Sequence, residues 1–193
     1  MEFLTGVKEK ETIGIREILS GDYVGKTVKM NGAVHNIRDM GEFAFVILRK
    51  AEGLVQCVYE EGKTEFDLKN LKEESAVEVT GVVELEERAP QDFELRLTGI
   101  RVLSEPAETM PIAINKWKMN TSLETRLSLR PVSLRNVRER AKFKIQEGIV
   151  RGFREFLSSQ GFTEVHTPKI VSRGAEGGAN VFKLNYFNKK AEL

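Results

Sequence analysis

The feature that most constrains the fold is a succession of five short segments in which apolar and polar side chains alternate. Alternation at period two is typical of β-strands that bury one face. The predicted strands cover residues 26–36, 43–49, 54–59, 75–85 and 93–103. Residues 64–74, whose apolar positions are Phe66, Leu68 and Leu71, predict a short helix between the third and fourth strands.

This order of elements predicts a particular barrel. Three strands, a helix and two further strands within about 80 residues correspond to a five-stranded OB-fold barrel. The polar faces of such strands would form an open binding surface. Because that surface could serve oligonucleotides, oligosaccharides or another protein, the fold alone does not decide the function.

The pattern changes after residue 104, where the predicted fold passes from β to α+β. Residues 104–120 contain two prolines and no clear period, which predicts a hinge. Residues 134–160 carry apolar side chains at spacings of three and four, which predicts a long amphipathic helix that ends at Gly161. Gly148 and Gly152 lower the stability of such a helix, so we expect something to pack closely there, such as another subunit.

Composition restricts the function further. The 30 lysines and arginines nearly cancel the 29 aspartates and glutamates, so positive charge for binding nucleic acid would have to be local. One cysteine and two histidines exclude an internal disulfide and a zinc site of the usual spacing. No segment approaches the roughly 20 apolar residues that span a bilayer. We therefore expect no metal site, no membrane partner and a reducing, cytoplasmic setting.

Two side chains of the predicted barrel suit the recognition of a base. Phe45 lies on the strand face of Phe43 and Ile47, opposite a second apolar set. A strand with two apolar faces can turn only one of them toward the core, so the other covers something else. An aromatic ring on such an open face can stack on a base. Packing in the core, or in a satellite cluster beside it, is the alternative for Phe45. Gln56 interrupts an apolar strand, and its amide can donate to and accept from a base edge.

Three segments carry a resemblance to a known family. GFTEVHTPKIVSRGAEGGANVFKLNYF, residues 161–187, resembles motif 1 of class II aminoacyl-tRNA synthetases and the flipping loop of their aspartyl and asparaginyl branch. In motif 1 a long helix runs into a strand that ends at a proline, here Pro168. VHNIRDMGEFAFVILRKAEGLVQCVYEE, residues 34–61, is similar to the anticodon-binding OB domain of archaeal and eukaryotic aspartyl-tRNA synthetases. LETRLSLRP, residues 123–131, resembles the segment that joins the two domains.

The resemblance implies the N-terminal part of an aspartyl-tRNA synthetase. Residues 1–104 would be the OB-fold anticodon-binding domain, residues 105–130 a hinge, and residues 131–193 the start of the class II catalytic domain. The resemblance implies anticodon contacts for four residues: Arg38 in the loop after the first strand, Phe45 stacked on the central uridine, Gln56 reading that uridine, and Glu94.

The resemblance also implies roles outside the barrel and for the full-length enzyme. Glu176 in the flipping loop would meet the ammonium group of the amino acid, and Pro168 would belong to a homodimer interface. The full-length enzyme would use ATP and Mg²⁺ to join aspartate to its tRNA, and acceptance of asparagine tRNA stays open. Motifs 2 and 3, which carry the catalytic arginines, are absent from these 193 residues. We therefore expect no catalytic residue, no cofactor and no adenylate formation in this chain alone.

Three alternatives remain open at this point. An asparaginyl-tRNA synthetase shares the OB domain, motif 1 and much of the flipping loop. A stand-alone OB-fold binding module would need only the barrel. A truncated paralogue would keep both segments without the reaction.

Overall fold

Five strands close into a barrel in a computed structural model, which describes residues 12–172 and 181–193. The strands are β1 (Thr27–Asp39), β2 (Phe43–Arg49), β3 (Leu54–Glu60), β4 (Ala76–Leu85) and β5 (Phe93–Ser104). Their order around the barrel is β1-β2-β3-β5-β4, and only the β3–β5 pair is parallel. The predicted OB-fold barrel is therefore confirmed, and each predicted strand overlaps an observed one.

The interior of the barrel is filled by the apolar side chains of the alternating pattern. Full burial contributes about 1.5–3 kcal/mol for each such side chain. Helix α1 (Ile15–Ser20) adds Ile15 and Ile18 to this core. The side chains with no exposed surface are Met30, Val34, Ala44, Val46, Leu48, Val55, Cys57, Val77, Val79, Val83 and Leu95.

The connection between β3 and β4 differs from the prediction. The helix predicted over residues 64–74 shrinks to a single 3-10 turn, Leu68–Asn70, whose first residues are capped by Asp67. The Thr64 hydroxyl and the Glu65 N–H both donate to backbone carbonyls of β5. A parallel bridge between Glu65 and Gly99 holds this backbone extended beside β5, so no helix begins there.

The predicted hinge after β5 has a small core of its own. Helices α2 (Leu123–Ser128) and α3 (Arg130–Ser133) follow the extended stretch. Ile112, Ile114 and Met119 are buried together, with Leu129 and Val132 packed against them. The segment is therefore fixed by packing over part of its length.

The long predicted helix is α4 (Val137–Ser159). It begins three residues later than predicted, because the Asn136 side chain accepts hydrogen bonds from the N–H groups of Arg138 and Glu139 and caps the helix. Gly161 has φ +83°, which confirms the predicted left-handed stop. Apart from the adjacent residues and the helix's own backbone, no atom of the described residues lies within 4 Å of a Cβ added at Gly148 or Gly152. Close packing there stays a prediction.

The chain divides into two compact units between Arg140 and Ala141, inside α4. In the second unit, β6 (Lys183–Tyr186) and β7 (Lys189–Glu192) form an antiparallel hairpin. Residues 163–168 form no strand, since no described residue pairs with them in a ladder, so the strand expected to end at Pro168 is not formed. Glu176 lies outside the described residues. Within the described ranges, no helix is long and apolar enough to cross a membrane.

Candidate nucleic-acid interface

A shallow depression of about 670 Å³ lies on the outer face of the barrel. The strand register explains which side chains meet there, because directly paired residues point to the same side of a sheet. One row runs across four strands and consists of Arg38, Phe45, Val58 and Arg96. The neighbouring row on the same face consists of Ile47, Gln56, Glu94 and Glu84. The structure therefore brings together all four residues predicted to bind the anticodon.

Phe45 lies on the outer face of β2 and is only half-buried. The core-facing positions of β2 are Ala44, Val46 and Leu48, which have no exposed surface. Phe45 is therefore not part of the barrel core. Its ring meets the edge of Phe43, with ring centroids 5.4 Å apart and an angle of 85° between the planes. This contact holds the Phe45 ring while leaving part of it open to the depression.

Gln56 and Glu94 form the polar centre of the depression. The Gln56 amide nitrogen, Nε2, donates to Glu94 Oε2 at 3.0 Å. Because a carboxylate only accepts hydrogen bonds, this contact determines which end of the amide points to Glu94. The second N–H of Nε2 and the Oε1 oxygen remain for other partners. Glu94 is only 6% exposed, so its carboxylate has little freedom to move away.

Arg38 occupies the penultimate position of β1, not the loop after it as predicted. β1 is three residues longer at this end than predicted, because it pairs with β2 as far as Asp39. The Arg38 side chain is exposed, and among the described residues it makes no ion pair with a carboxylate. Its guanidinium is therefore free to meet a phosphate or a base edge.

The charge of the depression is mixed. Its lining includes three arginines and four glutamates, namely Arg38, Arg88, Arg96, Glu42, Glu60, Glu86 and Glu94. Positive charge is therefore not concentrated here, although the overall composition required local positive charge for strong attraction to phosphates. Such a surface favours recognition of base edges over neutralisation of a phosphate backbone.

Sequence reasoning missed Arg96 and two of the carboxylates around it, Glu60 and Glu84. Strand alternation alone places Arg96 on the face of Glu94, two residues away on β5. Its contacts with Glu60 and Glu84 depend on the register between β3, β4 and β5, and no pattern within one strand specifies that register.

The closed five-stranded barrel, which presents an aromatic ring and an amide on its outer face, has the architecture of an OB fold. Residues 28–103 match the family model for the OB-fold nucleic acid binding domain. Residues 122–192 match the model for class II tRNA synthetases (D, K and N). The chain therefore combines a match to an OB-fold nucleic acid binding domain with a match to class II tRNA synthetases, in that order along the sequence.

Two individual relatives make the resemblance more specific. The aspartate–tRNA(Asp/Asn) ligase of Deinococcus radiodurans is 44% identical over 169 residues, which cover 88% of this chain and 38% of that protein. The ligase of the same name from Archaeoglobus fulgidus is 42% identical over 173 residues, covering 88% and 40%. The resemblance to aspartyl-tRNA synthetases is therefore confirmed. The chain spans about two fifths of the length of these curated relatives.

A solved structure shares the same arrangement of elements. The asparaginyl-tRNA synthetase of Pyrococcus horikoshii, crystallised with asparaginyl-adenylate, superposes with a TM-score of 0.74 at 32% identity. The match covers 89% of this chain and 40% of that one.

Proposed function

We propose that this chain is the anticodon-binding part of an aspartate–tRNA ligase and that the outer face of its barrel recognises the central anticodon base. The observation that carries the proposal is the position of Phe45 beside the oriented amide of Gln56. Stacking on an aromatic ring holds any base, whereas an amide reads the base edge. One surface therefore offers both affinity and selectivity.

Uridine fits the hydrogen-bonding groups that remain on Gln56. Gln56 Nε2 has one N–H left after donating to Glu94, and Gln56 Oε1 can accept. Uridine presents an N3–H donor between two carbonyl acceptors. Gln56 Oε1 can accept from that N3–H while the remaining Nε2–H donates to the neighbouring carbonyl. Cytidine has an acceptor at N3. With the base held by Phe45, Gln56 Oε1 would then face that acceptor, and a hydrogen bond would be lost.

The proposal extends to the whole protein through its relatives. We infer that the full enzyme uses ATP and Mg²⁺ to attach aspartate to tRNA, acts in the cytoplasm and forms a homodimer through α4 and the segment around Pro168. Support comes from the relatives' names and from the class II match. The described residues contain no cluster of three or more His, Cys, Asp or Glu side chains that could hold a metal ion.

Two details of the proposal concern specificity. The relatives' name includes tRNA for both aspartate and asparagine, so we include asparagine tRNA as a second partner. An asparaginyl-tRNA synthetase is the alternative enzyme, because the structure of the Pyrococcus horikoshii enzyme resembles this chain. The higher identity to aspartate ligases, 44% and 42%, supports the aspartate assignment. Glu176 would contact the amino acid's ammonium group in either enzyme.

Removal of the stacking ring tests the proposal. Phe45→Ala should weaken binding of the aspartate anticodon stem-loop by about 1–3 kcal/mol, as measured by fluorescence anisotropy. Phe162→Ala serves as the matched control, because Phe162 is 66% exposed and lies outside the barrel. Circular dichroism should show both variants folded. Unchanged binding by a folded Phe45→Ala variant would sink the anticodon assignment and favour a general OB-fold module.

A further inference from the structure

Arg96 sits at the centre of three carboxylates that come from three strands. Its Nε donates to Glu84 Oε2 at 2.6 Å, and its Nη1 donates to Glu60 Oε1 at 2.8 Å. Its Nη2 lies 3.6 Å from Glu94 Oε1. The hydrogen bond to Glu84, followed by other carboxylate contacts that outweigh partial burial, raises the pKa of Arg96. Arg96 therefore stays charged and neutralises part of this acidic cluster.

The planar guanidinium turns these contacts into a geometric constraint. Two hydrogen bonds, to Glu84 and Glu60, fix the orientation of the plane, so Nη2 is directed at Glu94. Lysine would keep the charge but has no rigid fork, so it could not hold three carboxylates in one arrangement. Glu60 is itself held by an ion pair with Lys63 at the end of β3.

Glu94 contacts both Arg96 and Gln56, so its carboxylate connects the position of the guanidinium to that of the amide. Its Oε1 faces Arg96, and its Oε2 accepts from Gln56 Nε2 at 3.0 Å. The Glu94 side chain is only 8% exposed, so both oxygens are committed to these neighbours within the barrel face. A rotation of the carboxylate would break the contact that orients the Gln56 amide. Nothing else in the described residues hydrogen-bonds to the Gln56 side chain.

We propose that Arg96 is a positioning residue for base selection, which acts through Glu94 to fix the donor and acceptor ends of the Gln56 amide against the anticodon base. This inference rests on the proposed function. Stacking on Phe45 sets where the base lies, and the Arg96–Glu94–Gln56 series sets which group of the amide meets each group of the base edge. Preference for uridine over cytidine requires both, because a displaced or turned amide could pair with cytidine instead.

The test is the ratio of affinities for two stem-loop RNAs that differ only in uridine or cytidine at the central anticodon position. Wild-type chain should prefer uridine roughly tenfold. Arg96→Lys should keep most of the uridine affinity, since the charge is retained, yet lower the ratio to near that of Gln56→Ala. Glu84→Ala, which removes one anchor of the guanidinium, should lower the ratio in part. The double variant Arg96→Lys/Gln56→Ala should match Gln56→Ala alone, because the two residues act in series.

Each other outcome counts against the proposal. A ratio for Arg96→Lys equal to wild type would mean that Arg96 supplies charge only. Arg96→Lys could instead lower the affinity for both RNAs equally, with a loss that adds to that of Gln56→Ala in the double variant. That result would mean that Arg96 contacts the RNA directly. If Gln56→Ala lowers the ratio and a folded Arg96→Lys does not, the Arg96 inference fails while the anticodon assignment stands. Absence of any uridine preference in wild type would overturn both.

Discussion

Gln56 and Glu94 lie opposite each other on the parallel pair β3 and β5, and their side chains are joined by a hydrogen bond of 3.0 Å. Parallel pairing is unusual in this otherwise antiparallel barrel. It places an amide, which can read a base edge, beside a carboxylate that fixes the amide's orientation. Selectivity and stacking are therefore separable, because Phe45 lies on the neighbouring strand β2.

The first prediction concerns this separation. Gln56→Ala should reduce the preference for uridine over cytidine while largely preserving affinity for the cytidine RNA, because stacking on Phe45 remains. Phe45→Ala should instead weaken both RNAs by similar factors. Anisotropy titrations of both variants with both RNAs measure the difference. If Gln56→Ala weakened the two RNAs equally, edge recognition by Gln56 would be ruled out.

The second prediction concerns phosphate contacts. Arg38→Gln should reduce the slope of log affinity against log salt concentration by about one, since one counterion fewer is released. The loss should be the same for the uridine and cytidine RNAs. Arg101→Gln is the matched control, because Arg101 is an exposed arginine on β5 that already pairs with Glu78. A salt slope in Arg38→Gln equal to that of the control would contradict a phosphate contact.

The third prediction concerns acid stability. His35 is buried, and its Nδ1 lies 3.1 Å from Arg49 Nη1, which also pairs with Glu74. Burial and the Arg49 charge lower the pKa of His35, outweighing the opposite effect of Glu74. The unfolded state therefore takes up a proton at higher pH than the folded state, and stability falls as pH drops below about 6.5.

Urea unfolding at pH 7.5 and pH 5.5 measures this effect. His35→Gln should lose less stability between the two pH values than wild type, since the variant has no imidazole to protonate. His166→Gln is the control, because His166 is exposed and is the only other histidine. The same loss in His35→Gln as in wild type would assign the pH dependence to other groups.

The fold was predictable from sequence where a single strand or helix carried its own signal. The alternation that buries Val77, Val79 and Val83 specified β4, and Gly161 specified the end of α4. The prediction of a helix over residues 64–74 was wrong, because Thr64 and Glu65 hydrogen-bond to β5. A local sequence pattern does not contain that distant partner.

The site was predictable in part for the same reason. Phe45 and Gln56 stand out within their own strands as an outward aromatic and a polar interruption. Within the sequence of β5, Arg96 looks like an ordinary surface charge. Its hydrogen bonds are made with Glu60 and Glu84, which lie on other strands. Register across a parallel pair is a property of the closed barrel, so it was available only from the structure.

The fourth prediction concerns α4. None of its residues is buried, and its exposed apolar side chains include Ile145, Ile149 and Phe153, at 64%, 68% and 65%. We expect the chain to self-associate through this stripe, because a large exposed apolar patch is costly in water. Ile149→Glu should shift sedimentation toward the monomer. Lys144→Gln, which changes the charge by the same single unit away from the stripe, should leave the association unchanged, and a monomeric wild type would contradict the prediction.

The most direct test of the central claim is a titration of the wild-type chain with two aspartate anticodon stem-loops that differ only at the central base. Binding should be tighter for uridine than for cytidine by roughly tenfold, as expected for one well-placed amide contact with a base edge. The preference should persist as salt is raised, even while both affinities fall, because base contacts do not depend on counterion release. Equal affinities for the two RNAs at every salt concentration would contradict anticodon recognition by Phe45 and Gln56.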